Sequence, residues 1–218
     1  QDLDEIVAQA VGAGRLRATT DPADGVLNSD LSLICVGTPS KSNGGLDLVF
    51  VERVCHDIGR ALAGKNGFHT VVLRSTVLPG TTKAVVVPAL EQSSGRIAGQ
   101  GFGVCYNPEF LREGTSVQDF YHPPFTVIGE LDPHAAKLSA SLYQSLDAPL
   151  LMVPFEAAEM VKYVCNAFHA LKVTFANEVG NLCKNQGIDS HQIMDIFCMD
   201  DKLNISPYYL KPGFAFGG

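Results

Sequence analysis

Lys162, Asn166, His169 and Asn177 are residue types that can hold a developing negative charge, a ligand hydroxyl or an attacking water. In a helix turning about 100° per residue, with Lys162 at zero, Asn166 falls near about 40°, His169 near about −20° and Asn177 near about 60°. The four therefore share one stripe. Val161, Val164, Phe168 and Leu171 fall on the opposite side, where the pattern predicts core. The competing reading is structural: Lys162 lays its stem on apolar surface with the ammonium in water, and His169 is a partly buried, satisfied histidine.

A second cluster is the loop Asn107-Pro108-Glu109-Phe110-Leu111-Arg112-Glu113-Gly114. Two carboxylates four positions apart flank an apolar pair and an arginine. If that loop closes over a ligand, Glu109 or Glu113 is desolvated and its pKa rises toward the range useful to a general base. The alternative is a solvated loop with one surface Arg–Glu pair, which stabilises little. The turns Gly37-Thr38-Pro39 and Ser75-Thr76-Val77 fit ordinary turn chemistry one at a time. Their shared position, each just after an apolar run, favours a ligand. Near the end, Tyr208, Tyr209, Lys211 and Phe214, with the glycines around Gly217, suit a nucleotide base and phosphate, or equally a loop anchored by aromatics.

The elements that must position these residues follow from periodicity. Apolar runs at 31–36, 69–73, 101–106, 125–129 and 149–153 read as strands, and helical spacing recurs at 4–13, 47–62, 83–91 and 133–145, with Pro88 a kink or early stop. Unalternated strands between helices predict an α/β domain, doubly wound around a mainly parallel sheet covered on both faces, with ligands beyond the carboxyl ends of the strands. From 155 to about 186 only Gly180 interrupts a helical pattern. A last helix, 190–199, takes Ser190 as N-cap, and a loop follows. The pattern thus predicts an α/β domain over 1–154 and a long-helix, all-α segment over 155–218.

Composition bounds the partners. The chain has 218 residues, 46% apolar and 18% charged, with mean hydropathy +0.12, as in globular proteins. Sixteen Lys and Arg against 23 Asp and Glu give −7, which provides no basic footprint for nucleic acid. No apolar run reaches the length of a membrane span and no signal segment opens the chain, so a cytoplasmic location is expected. The six cysteines form neither a C-x-x-C pair nor a zinc pattern, and no metal site is expected.

In order, Cys35-Val36-Gly37-Thr38-Pro39, Arg74-Ser75-Thr76-Val77-Leu78-Pro79-Gly80-Thr81, the loop 107–114, Lys162-Tyr163-Val164-Cys165-Asn166 and 212–218 resemble the UDP-glucose/GDP-mannose dehydrogenase family, and Leu146-Asp147-Ala148-Pro149, Tyr208-Tyr209 and Phe214-Ala215-Phe216-Gly217-Gly218 resemble the GDP-mannose branch within it. The resemblance implies two NAD-linked oxidations of a sugar nucleotide's C6 alcohol, through a thiohemiacetal and a thioester on cysteine, and then hydrolysis to a carboxylate. It also implies two doubly wound domains joined by a long helix that builds a homodimer. By position, Thr38, Thr76 and Glu113 would line the NAD site. Glu109 would act as general base or water-orienting group, and Lys162 and Asn166 would stabilise the oxyanion. Glu113, Lys162, Asn166, His169, Asn177, Tyr208, Tyr209, Lys211, Phe214 and Gly217 would hold the nucleotide sugar. Lys211 stands where the GDP-mannose branch implies arginine, and an ammonium lacks the bidentate fork.

Two parts implied by the family are not in the sequence. A G-x-G-x-x-G turn for the NAD pyrophosphate is missing, and none of the six cysteines occupies the nucleophile's place after the terminal glycines. With Gln1 first and Gly218 last, the expectation is that these residues are the middle of a longer enzyme, lacking its first strand and helix and with the nucleophilic cysteine just beyond Gly218. The rival expectations are a dehydrogenase of the same family acting on UDP-glucose, a non-catalytic binding or dimerisation module, or a β-hydroxyacid dehydrogenase, which would leave the paired carboxylates without a task.

Overall fold

A computed structural model describes residues 3–207, 210 and 212. The chain divides into two compact units, Gln1–Val164 and Cys165–Gly218.

The first unit holds α1 (Leu3–Gly12), α2 (Pro22–Leu27), β1 (Leu31–Ile34), α3 (Val49–Ala63), β2 (Thr70–Leu73), α4 (Val87–Ser94), β3 (Gly103–Tyr106), α5 (Ser116–Tyr121), β4 (Thr126–Glu130), α6 (Pro133–Ser141), β5 (Leu150–Val153) and the first turns of α7 (Phe155–Gln186). One sheet runs β1-β2-β3-β4-β5. Its pairs are parallel except β3–β4, where Tyr106 faces Gly129. The expected α/β fold with a mainly parallel sheet is what forms. The 107–125 connection that joins the antiparallel pair holds the six-residue α5.

β2 and β3 are buried at every residue, since their apolar side chains meet helices above and below. On one face Val71, Leu73, Val104 and Tyr106 pack with Cys55 and Leu62 of α3, Leu90 of α4, and Phe155 and Ala158 of α7. On the other, Val72, Cys105 and Ile128 pack with Ala135 of α6. Two-sided cover does not extend to the edge: Leu150, Leu151 and Met152 of β5 are exposed, because β5 has a neighbour on one side only. Pro88 neither stops its helix nor leaves it regular. A π-helical stretch, Thr82–Val86, leads into α4, and Val87 N–H donates to the Thr82 carbonyl one residue beyond α-helical spacing. Periodicity missed α2 and α5, each only six residues long.

α2 ends on a side chain from another element. The Lys65 ammonium, buried, donates to the carbonyls of Val26 (3.0 Å), Leu27 (3.1 Å) and Ser29 (2.8 Å). Beside it, fully buried His69 meets Ser29 O through Nδ1 (3.0 Å) and Ser32 Oγ through Nε2 (2.9 Å). Burial holds the His69 pKa below the ordinary imidazole value, opposed by the hydrogen bond to Ser29 O, while the Lys65 charge lowers it further against the weaker pull of Asp30. An imidazole that protonates more readily unfolded than folded withdraws stability as pH falls. Its contribution is complete above the unfolded pKa of about 6.5 and declines below it toward the lowered folded value. The unfolding midpoint is therefore expected to fall as pH drops below about 6.5, and His69→Gln should flatten that slope. An unchanged slope in the variant would remove His69 as its source.

In the second unit α7 continues to Gln186 and ends where Gly187 takes φ +67°, with Ile188 N–H on the Cys183 carbonyl at 3.0 Å. α8 (Ser190–Cys198) follows. Its N-cap is Asp189, whose carboxylate accepts from His191 N–H at 2.9 Å, and not Ser190, because the aspartate side chain is the one that reaches the free N–H. Phe175 of α7 packs on Phe197 of α8, with ring centroids 5.5 Å apart. Val164, Phe168 and Leu171, expected in the core, are exposed, and in the first turns of α7 the buried residues are Phe155, Ala158, Glu159 and Lys162 instead.

Candidate functional site

The residues of α7 buried against the sheet are Phe155, Ala158, Glu159 and Lys162, at the spacing of one helical face. Two of the four are charged. The close approach depends on Gly129 of β4, where an added Cβ would lie 2.9 Å from Ala158 Cβ and 3.0 Å from Phe155 Cα. Glycine there lets helix and strand touch backbone to side chain, which fixes the height of Lys162 over the strand ends.

Lys162 is 6% exposed. Its Nζ donates to the Glu109 backbone carbonyl and lies 3.2 Å from Glu109 Oε1, and 5.3 Å from the centroid of the Phe110 ring. The ammonium thus points at the acidic loop leaving β3, and not into water. The side chain of Glu109 keeps 34% exposure, so one face of the pair is open. Its other oxygen, Oε2, accepts from Leu111 N–H at 2.7 Å. Phe110 is braced edge-on by Phe125, 5.2 Å away.

The start of that loop is locked by Asn107, which is 1% exposed. Its Oδ1 accepts from Arg74 Nη1 and from the Tyr143 hydroxyl, and its Nδ2 donates to the Val127 carbonyl at 2.8 Å. One amide therefore ties the ends of β2, β3 and β4 together. Farther along, Arg112 pairs with Asp119 and not with either glutamate: Nη2–Oδ1 is 2.6 Å, and the guanidinium holds the Asp119 carboxyl well below the usual range. Glu113 lies exposed on the same loop.

The two threonine turns meet. Thr38 Oγ1 donates to the Thr76 carbonyl at 2.8 Å, and Ser75 Oγ donates to the Val36 carbonyl at 2.6 Å, so the loops after β1 and β2 are stitched side by side. Both threonines are half-buried, and Gly37 faces open space. Three strand-end loops, after β1, β2 and β3, thus stand on the carboxyl side of the parallel strands with two hydroxyls and the Lys162–Glu109 pair.

The structure therefore joins Thr38 with Thr76, and Lys162 with Glu109. Asn166 lies four residues further along α7, in the second unit, and is exposed, as are His169 and Asn177. The sites expected at Tyr208, Tyr209, Lys211, Phe214 and Gly217 lie outside the described residues. Sequence reasoning missed Glu159, fully buried, although a carboxylate three positions before Lys162 falls on the same stripe. Among the described residues no group of three or more His, Cys, Asp and Glu is placed to hold a metal, and no helix is long and apolar enough to cross a membrane.

The thiols differ in environment. Burial pushes the Cys55 thiol up to about 12 and the Cys105 thiol up to about 11, and raises Cys35 against the pull of Arg74. Thiols raised in this way are poor nucleophiles.

Comparison with known proteins agrees with this geometry. Residues 1–147 match the NAD binding domain, and residues 156–218 the central domain, of the UDP-glucose/GDP-mannose dehydrogenase family. The chain is 55% identical to GDP-mannose 6-dehydrogenases of Pseudomonas putida and Azotobacter vinelandii over 99% of its length, and covers 49% and 50% of those proteins. It superposes on a ternary complex of GDP-mannose dehydrogenase from Pseudomonas aeruginosa with a TM-score of 0.97 at 55% identity, over 99% of this chain and 50% of that one. With a UDP-glucose dehydrogenase from Pyrobaculum islandicum the TM-score is 0.88 at 39% identity, over 100% of this chain and 49% of that one. The chain spans about half the length of the relatives it matches.

Proposed function

The chain belongs to the UDP-glucose/GDP-mannose dehydrogenase family, and from that membership we propose that it carries the cofactor loops and the lysine–glutamate pair of an NAD-dependent sugar-nucleotide 6-dehydrogenase acting on GDP-mannose to give GDP-mannuronate. The observation that carries this reading is the buried Lys162 ammonium aimed at Glu109 among the strand-end loops. Its support for GDP-mannose is the 55% identity to proteins named for that substrate, against 37% for a UDP-glucose 6-dehydrogenase of Haloferax volcanii.

The residues present fit one part of the dinucleotide. Thr38, with its proton committed to the Thr76 carbonyl, offers lone pairs to a ribose hydroxyl, and the open space at Gly37 admits a ligand close to backbone. The glycine-rich turn for the pyrophosphate is not among these residues. When bound, NAD supplies the acceptor for the hydride leaving C6. Lys162 and Asn166 then stabilise negative charge on the C6 oxygen, and Glu109 takes a proton from, or orients, the water that attacks the thioester. Glu113 lies toward cofactor and substrate, while His169, Asn177, Tyr208, Tyr209, Lys211, Phe214 and Gly217 hold the nucleotide sugar.

The raised pKa of Cys35, Cys55 and Cys105 argues against these three thiols as the acyl carrier. The working division is 1–154 for cofactor and 155–218 for helix and substrate contacts. A homodimer through α7 is supported by the exposed Leu171, Val173 and Leu182, and a cytoplasmic setting by the soluble substrates.

The test is stoichiometric. Taking an alcohol to an acid removes two hydrides, so the natural gene product carrying these residues should reduce two NAD per GDP-mannose consumed. One NAD per sugar, or none with any sugar nucleotide, would reject the assignment.

A further inference from the structure

Glu159 is the one fully buried carboxylate among the described residues, and every partner it has lies on the segment that follows the Thr76 turn. Its Oε2 accepts from Gly80 N–H, and its Oε1 accepts from Thr82 N–H at 2.8 Å and from Thr82 Oγ1 at 2.6 Å. A carboxylate taken fully out of water is strongly unfavourable unless such donors replace its hydration. Two of the three donors, the Thr82 N–H and hydroxyl, stand at the start of the helix after β2, where backbone N–H groups have no partner within the helix, and the third, Gly80 N–H, is on the turn just before it.

Glu159 sits three residues before Lys162 on the same buried face of α7. The contacts form one continuous path: the Thr38 hydroxyl to the Thr76 carbonyl, the Thr76 loop to Gly80 and Thr82, these to Glu159, and one helical turn on to Lys162 and Glu109. Gly80 takes φ +90°, a conformation favoured by glycine, so the loop turns sharply just where the carboxylate grips it. An apolar residue at 159 would fill the space without fixing the loop. A carboxylate with two gripping oxygens sets both the distance and the rotation of the loop relative to α7.

We propose that Glu159 is a positioning residue that fixes the Thr76 cofactor loop against the Lys162 turn of α7, so that hydride acceptor and oxyanion-stabilising ammonium are held in register. This rests on the function assigned to the site above. Glu159 touches neither substrate nor cofactor and acts through its two neighbours.

The test uses the natural gene product with Glu159→Gln, which keeps the shape but turns an NH2 toward a backbone N–H. Hydrogen exchange of residues 78–86 should quicken about tenfold or more while exchange in α3 stays unchanged. In the same variant kcat should fall about tenfold and the KM for NAD rise several-fold, with the KM for the sugar nucleotide unchanged. A variant with a lower unfolding midpoint but native kcat and KM for NAD at 25 °C has lost a structural contact only, and the proposal fails. Should Glu159→Gln not fold, Thr82→Val, which removes a single hydroxyl donor, decides: quicker exchange with a raised KM for NAD supports the proposal, and native values overturn it. A wild-type protein that oxidises no sugar nucleotide would reject the function assigned to the site, whereas the exchange measurement still reports on the anchor.

Discussion

Replacing Lys162 by Ala is expected to lower kcat about a thousandfold, roughly 4 kcal/mol of transition-state stabilisation, while the KM for the sugar nucleotide stays within a few-fold. The ammonium is buried, so its field on a developing oxyanion is weakly screened, and it is already oriented by Glu109 and the Phe110 ring before any ligand arrives. In the proposed reaction negative charge would grow on the sugar oxygen only as the reaction proceeds, which is why the loss should appear in kcat. Lys162→Met separates charge from packing, because it keeps the stem and removes the ammonium. Both variants should fall by similar factors and remain folded, since the Glu109 side chain left behind is one-third exposed and can be hydrated. A Met variant with near-native kcat would show that the stem and not the charge matters, and the assigned role of Lys162 would be lost.

The second large effect is expected at Gly129. Gly129→Val places methyls where Phe155 Cα and Ala158 Cβ already stand within 3.0 Å of an added Cβ, and a backbone atom cannot swing aside. The first turn of α7 must lift from β4, at about 3 kcal/mol, the upper end of typical overpacking, with the unfolding midpoint falling accordingly. Lys162 is carried by the same rigid helix, so kcat should fall by about tenfold or more even well below the unfolding temperature. Ile58→Ala, a cavity in α3 on the core side, provides the control: it should lower the midpoint comparably and leave kcat near native. Equal kcat losses in the two variants would mean that the activity tracks global stability and not the seat of α7.

Much of this molecule was legible from residue order. Apolar runs located the five strands of the described residues, and the proline-free stretch from 155 located the long helix, because apolar runs and helical periodicity are local signals. The six-residue helices α2 and α5 were not legible. They are held by particular side chains, such as Lys65 on the end of α2, and not by any repeating pattern. At the site, spacing along one helix drew attention to Lys162, and its place after a strand drew attention to Glu109. Which face of α7 is buried was misread at Val164, Phe168 and Leu171, since periodicity defines a stripe but does not say which stripe meets other elements.

What residue order determined by itself is the set of elements and the candidate groups each carries. The resemblance of five short motifs also pointed to the family whose domains match residues 1–147 and 156–218. Tertiary structure alone decided the pairings. Lys162 meets a glutamate 53 positions away, Thr38 meets the carbonyl of Thr76 38 positions away, and Glu159 grips a turn 77 to 79 positions away. Such contacts depend on strand order, on the side from which each loop leaves the sheet, and on a glycine small enough to let one helix settle. These are properties of packing in three dimensions, and no local run of side chains encodes them separately.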